Sequence, residues 1–199
     1  MRLNLGLSDL LATPNHLGVL RALSLLPEGL ERSGRDIARR AGVSQPTAAR
    51  ILDDLASHGA VMVRRVPPAK YYALNRDHVL VQAVLGALAA ERGMREQLLR
   101  YVFEQLQPIG VTDVRLFGSA AREEMRPDSD VDLAIVTSRG RRAQVLEATS
   151  DLHDQVRRRF GVRPSFLVGE VSVERMASAE ASPAGVWHQV RDQGLGIPA

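Results

Sequence analysis

Apolar residues recur along this chain first at helical spacing and then, from about residue 111, in short strand-like runs alternating with helices. Thr13-Pro14 reads as a helix start, followed by Leu17, Leu20 and Leu23 at helical intervals and stopped by Pro27 and Gly29. Ser33 is placed to cap a short helix carrying Ile37, Ala38 and Ala41. Gly42-Val43-Ser44 makes a tight turn. Ser44 then caps a further helix with Pro46 in its first turn, on which Ala48, Ile51, Leu52 and Leu55 line one face until Gly59. Two strand-like runs, Ala60–Val66 and Tyr71–Leu74, are separated by Pro67-Pro68-Ala69-Lys70 and predict a hairpin with a basic tip.

Residues 78–107 read as helical throughout. Val81, Val84, Leu85 and Leu88 form one stripe; Leu99, Val102, Phe103 and Leu106 form another. Gly93 between them predicts a kink or two helices. Such stripes must be buried, on the chain's own domains or, as the preferred expectation, in a homodimer. Beyond them the pattern predicts strands at Val111–Phe117, Val131–Thr137 and Arg163–Val168. It predicts helices at Ala120–Met125, Ala143–Phe160, Val173–Ala179 and Pro183–Asp192, the last with Val186, Trp187 and Val190 apolar. Gly194–Ala199 is a tail. The expected organisation is residues 1–76, a helical linker at 77–108, and 109–199.

Composition adds modest bounds. The 199 residues are 45% hydrophobic and 25% charged, ordinary for a soluble globular protein. Aromatics make up only 4%, so the core must come from Leu, Val, Ala and Ile. The absence of cysteine excludes disulfides and thiolate-bound zinc, and fits a cytoplasmic protein. No apolar run reaches membrane-spanning length, so no membrane partner is expected. The net charge is +3, and the cationic side chains are almost all arginine. Their total reflects composition; only their positions can argue for nucleic acid.

Helix, Gly-containing turn, helix and basic hairpin, in that order over Ile37–Leu74, resemble the winged helix-turn-helix of MarR- and ArsR-like regulators. The resemblance implies that the second helix of the pair presents Gln45, Thr47 and Arg50 to base edges in double-stranded DNA. Arg64, Arg65 and Lys70 then flank the wing as phosphate or minor-groove contacts. Asp53 and Asp54 share that helix and must lie on its back or far end.

The densest chemistry is at residues 116–136. An apolar run ends in Gly118-Ser119, and the next carries Asp130 and Asp132, two carboxylates on one face of a strand. Beside a glycine turn with free backbone N–H groups, such a pair suits Mg²⁺ or Mn²⁺ held against a triphosphate. Gly118, Ser119, Ala121 and Arg122, then Ser129, Asp130, Asp132 and Leu133, resemble the signature of the minimal nucleotidyltransferases of the DNA polymerase β-like superfamily. The resemblance spans residues 109–193 and implies an α/β fold with a small mixed sheet. It also implies NTP as substrate or ligand at Gly118, Ser119, Arg122 and Ser129, and metal ligation and catalysis by Asp130 and Asp132. Arg122 would reach a phosphate or brace one of the aspartates.

Two positions depart from that pattern. Glu123 replaces a glycine, and Ser165 stands where active relatives place a third carboxylate. Serine is neither an adequate general base nor a carboxylate ligand. Glu170 lies nearby but past the strand. The leading expectation is a DNA-binding regulator whose second domain transfers NMP to a protein or RNA hydroxyl, with a toxin-like partner protein as one specialisation. A regulator with a catalytically inactive, nucleotide-sensing domain and a small-molecule (antibiotic) nucleotidyltransferase are the alternatives.

Overall fold

The structure, a computed structural model, describes residues 5–122, 124–126, 128–180 and 185–197. The chain folds as two units, Met1–Arg92 and Gly93–Ala199, each with its own core.

The first unit contains α1 (Gly6–Leu10), α2 (Pro14–Ser24), β1 (Arg32–Ser33), α3 (Gly34–Ala41), α4 (Gln45–Ser57), β2 (Val61–Val66) and β3 (Ala69–Leu74). The Ser33 hydroxyl accepts from the Asp36 N–H, and Ser44 accepts from Thr47 N–H, both at 3.3 Å. Between α3 and α4 Gly42 adopts φ +68°, which a residue with a Cβ resists. Thr13 flanks α2 without capping it; its hydroxyl instead bonds His16 Nδ1 at 2.8 Å. Ala48, Ile51, Leu52 and Leu55 of α4 are buried, the last three in one core with Val19, Leu20 and Leu23 of α2. The hairpin turn is shorter than the sequence suggested: Ala69 and Lys70 join β3, leaving Pro67-Pro68 as the connection. β1 pairs with β3 through Arg32↔Tyr72 and Ser33↔Tyr71, a two-residue strand too short to leave an alternating pattern.

α5 runs Val79–Leu106 without interruption, so Gly93 neither breaks it nor splits it into two helices. One interior glycine costs only about 1 kcal/mol relative to alanine, which packing on either side offsets. Val81, Val84 and Leu88 are buried in the first core, and Leu98, Leu99, Val102 and Leu106 in the second. The stripes are therefore used within the chain and do not by themselves demand a second copy.

The second unit adds β4 (Val111–Phe117), α6 (Gly118–Ala121), β5 (Val131–Thr137), α7 (Arg142–Phe160), β6 (Pro164–Glu170), α8 (Val173–Ala179) and α9 (Val186–Gln193). The predicted helix at Ala120–Met125 is displaced to α6, because the helical turn begins directly at Gly118. The sheet order is β4-β5-β6, antiparallel then parallel. Period two sorts β5: Val131, Leu133 and Ile135 pack with Val145, Leu152 and Val156 of α7, whereas Ala134 and Val136 pack with Val173 of α8 and Val190 of α9. Every residue of β5 is buried except Asp132, at its start.

The start of the expected tail is not free. Leu195 and Leu116 exchange backbone hydrogen bonds of 2.9 and 2.8 Å along the β4 edge. Glu180 anchors α9, accepting from the N–H groups of Trp187 and His188 at 3.0 Å and pairing with His188 Nδ1 at 2.9 Å. The predicted start of that helix at Pro183 lies outside the described residues. Gly169 lets α8 and α9 close on β6: a Cβ there would stand 2.0 Å from Met176 Sδ and 2.4 Å from Trp187 Cζ2. Gly169→Ala is expected to destabilise the second unit by about 1–3 kcal/mol. Denaturant titration followed by fluorescence of Trp187, the single tryptophan, checks this.

Candidate nucleotide-binding site

The parallel pairing of β5 with β6 sets Asp132 opposite Ser165, and the antiparallel pairing with β4 sets it opposite Phe117. Gly118 follows at φ +69°, and a Cβ on it would lie 2.4 Å from Asp132 Oδ2. The missing side chain is what lets the backbone turn come against the carboxylate. Ser119 follows Gly118 in α6, while Ser129 closes the next loop: its hydroxyl accepts from Arg126 N–H at 3.0 Å. Glu123, the first departure from the signature, lies outside the described residues.

Burial raises the pKa of Asp132 above the ordinary carboxylate range, and the Asp130 charge adds to the shift. The Ser165 hydroxyl, hydrogen-bonded to Asp132, opposes them. Among the described residues no cation pairs with Asp132. Asp130, more exposed, pairs with Arg163: Nε lies 3.0 Å from Oδ1, and the same guanidinium donates to the Asp128 carbonyl. Arg122 braces neither aspartate. Its Nε donates to Glu124 at 2.9 Å and its Nη1 to Gln193 at 3.2 Å.

Glu170 is the last residue of β6, not a residue beyond it, and pairs with Thr137. It is five residues from Ser165, about 17 Å at ~3.3 Å per residue. There it accepts from Gly140 N–H at 3.1 Å, so it does not substitute for the missing carboxylate. Among the described residues no group of three His, Cys, Asp or Glu side chains is arranged to hold a metal. Asp130 and Asp132 still fit Mg²⁺, which commonly takes one or two carboxylates and completes its shell with water and phosphate oxygens. The closeness of Asp132 to a Cβ-free turn is the local feature that suits a metal-bound phosphate there.

In the first unit Gln45 and Arg50 are exposed on α4 and Thr47 is half-buried beside its cap. The wing cations are partly engaged. Arg64 Nε donates to Glu31 at 2.6 Å and its guanidinium lies 5.2 Å from the Tyr71 ring centroid. Lys70 donates to Asp53 at 2.9 Å. Each bond raises the cation's pKa. Arg50 and Arg65 form no ion pair among the described residues. Asp54 is turned to the back of α4, where it meets His16 Nε2 at 3.1 Å. Asp53 instead faces the wing, contrary to the expected placement. Arg35, at the start of α3, was not singled out in the sequence; it lines a cavity of about 560 Å³ with Gln45, Ala49, Lys70 and Tyr72. No local pattern marks it, because the cavity is made by residues of α3, α4 and the wing that are distant in sequence.

Gly118→Ala is expected to push the Asp132 carboxylate aside and abolish divalent-cation binding while the sheet remains folded. Mn²⁺ titration with circular dichroism as a control checks it.

Residues 96–178 match the family model described as a nucleotidyltransferase domain, and residues 23–77 match the model described as the sugar-specific transcriptional regulator TrmB. No curated protein matches the chain. Among solved structures, NolR from Sinorhizobium fredii is 28% identical, covering 45% of this chain and 84% of its own, with a TM-score of 0.37. The homodimeric winged helix-turn-helix DNA-binding domain Mb0332 from Mycobacterium bovis is 24% identical, covering 46% and 81%, with a TM-score of 0.37. NadR in complex with 4-hydroxyphenylacetate is 20% identical, covering 49% and 70%, with a TM-score of 0.35. The family models and the two folds described above agree: this chain joins a TrmB-like winged helix-turn-helix domain, residues 23–77, to a nucleotidyltransferase domain, residues 96–178.

Proposed function

We propose that this protein is a DNA-binding transcriptional regulator whose C-terminal domain binds a nucleoside triphosphate with Mg²⁺ or Mn²⁺. The observation that carries the nucleotide half is the approach of the Gly118 turn to Asp132 near the start of β5, with Asp130 in the loop just before that strand. The turn offers backbone N–H groups to a phosphate without a Cβ in the way. Asp130 and Asp132 would hold the metal. When bound, the metal offsets triphosphate charge and orients the phosphates. Ser119 and Ser129 supply hydroxyls at the same turn and loop.

With Ser165 opposite Asp132, the β6 position facing that aspartate offers no carboxylate to take a proton from an acceptor hydroxyl. Binding coupled to DNA recognition is therefore the favoured role. Transfer of NMP to a protein or RNA hydroxyl is the second reading, supported by the match of residues 96–178 to a nucleotidyltransferase domain. A toxin-like partner protein belongs to that second reading.

On the DNA side, Gln45, Thr47 and Arg50 face base edges and Arg65 meets phosphate, joined by Arg64 and Lys70 once they leave Glu31 and Asp53. A homodimer reading two half-sites in the cytoplasm completes the proposal. No described helix is long and apolar enough to cross a membrane.

Two measurements test this. Titration of ATP, CTP, GTP and UTP with Mg²⁺ is expected to show binding that Asp130→Asn and Asp132→Asn each weaken at least about tenfold. Labelling of a lysate component by the wild type, lost in Asp130→Asn, would establish transfer instead. For DNA, Arg50→Ala combined with Arg65→Ala is expected to lower the slope of log affinity against log salt by about 1–2. An unchanged slope would move DNA binding off the winged helix.

A further inference from the structure

Resting on the nucleotide-binding reading, we infer that Arg163 is a triphosphate-binding residue held in reserve by Asp130, exchanging that carboxylate for phosphate when the metal–nucleotide complex arrives. No position of the nucleotidyltransferase signature includes it. Its placement comes from the sheet. Val131 N–H donates to the Arg163 carbonyl at 2.8 Å, which fixes Arg163 immediately before β6 and beside Asp130. The guanidinium reaches across to Asp130 Oδ1 at 3.0 Å and also donates to the Asp128 carbonyl.

Among the described residues Arg163 is the only cation paired with either signature aspartate. Arg122, the arginine within the signature, is occupied by Glu124 and Gln193. The charge balance then needs Arg163. Two carboxylates offset one divalent cation, and a triphosphate brings further negative charge that neither aspartate can meet. The Arg163–Asp130 pair is also suited to exchange. Its two side chains are 52% and 55% exposed, so water screens the pair and breaking it costs little. A guanidinium can re-pair bidentately with a phosphate, a stronger charge-assisted contact than it gives up. The same residue thus opposes the cation at Asp130 when nucleotide is absent and supports the nucleotide when it is present.

This dual role makes the two affinities of an Arg163 variant move in opposite directions. Mn²⁺ binding without nucleotide is followed by loss of the free-ion paramagnetic resonance signal. Nucleotide binding is followed by calorimetry, using whichever of ATP, CTP, GTP and UTP binds the wild type most tightly in Mg²⁺. Arg163→Gln is expected to tighten Mn²⁺ alone by about twofold to fivefold, the scale of an exposed ion pair. It should weaken NTP·Mg²⁺ by about tenfold or more. Arg163→Lys, which keeps the charge but loses the fork, should fall between wild type and Gln in both, and serves alone if the Gln variant does not fold. If both affinities fall together, rise together or stay unchanged in a variant that folds, the inference is overturned while the nucleotide-binding reading stands. If the wild type binds none of the four nucleotides, that reading fails and this one with it.

Discussion

The second domain depends on the burial of β5 from both sides. A strand covered on one face by α7 and on the other by α8 and α9 cannot slip by one residue without exchanging its two apolar sets. Its register with β4 and β6 is therefore fixed. Asp132 is the exception in an otherwise buried strand, held at the end where Phe117 gives way to Gly118. The position of a single carboxylate is set by hydrophobic packing several residues away. The same register decides that Ser165, not an acidic residue, faces it.

The charges around that carboxylate form a small, incompletely neutralised group. Asp132 is raised by burial and by Asp130; Asp130 is tied to Arg163; Arg122 is turned outward to Glu124 and Gln193. The first domain has the opposite arrangement. There two wing cations, Arg64 and Lys70, are each paired with a carboxylate of the same unit. The first bridge ties the wing to the residue before β1 and the second ties it to α4, and both reduce its net charge. Arg50 and Arg65 keep theirs unpaired among the described residues. In each domain the ion pairs set which charges stand ready for a ligand.

Much of this was legible along the chain where local chemistry decides the outcome. The serine caps at Ser33 and Ser44, the glycine turn at Gly42, the buried face of α4 and the limits of β4 and β5 all follow from propensity and periodicity. Gly118, Asp130 and Asp132 stood out because a glycine turn and two alternating carboxylates have few other uses together. Less legible were features made by partners distant in sequence. β1 exists only because β3 pairs with it, and Leu195 joins the sheet only because Leu116 leaves an open edge. Gly93 misled because its intrinsic cost is small beside the packing on either side of it.

The sequence by itself determined two domains of different architecture, the helix caps and turns of the first, and the Gly-Ser and Asp-x-Asp elements of the second. These depend on residues close together in the chain, where hydrogen bonds and side-chain period act directly. Tertiary structure decided which polar groups meet: Asp53 with Lys70, Glu31 with Arg64, Arg163 with Asp130, and Ser165 with Asp132. Each of these pairs joins separate elements. Their meeting depends on strand register and on how helices and hairpins pack, and neither is written in any one segment.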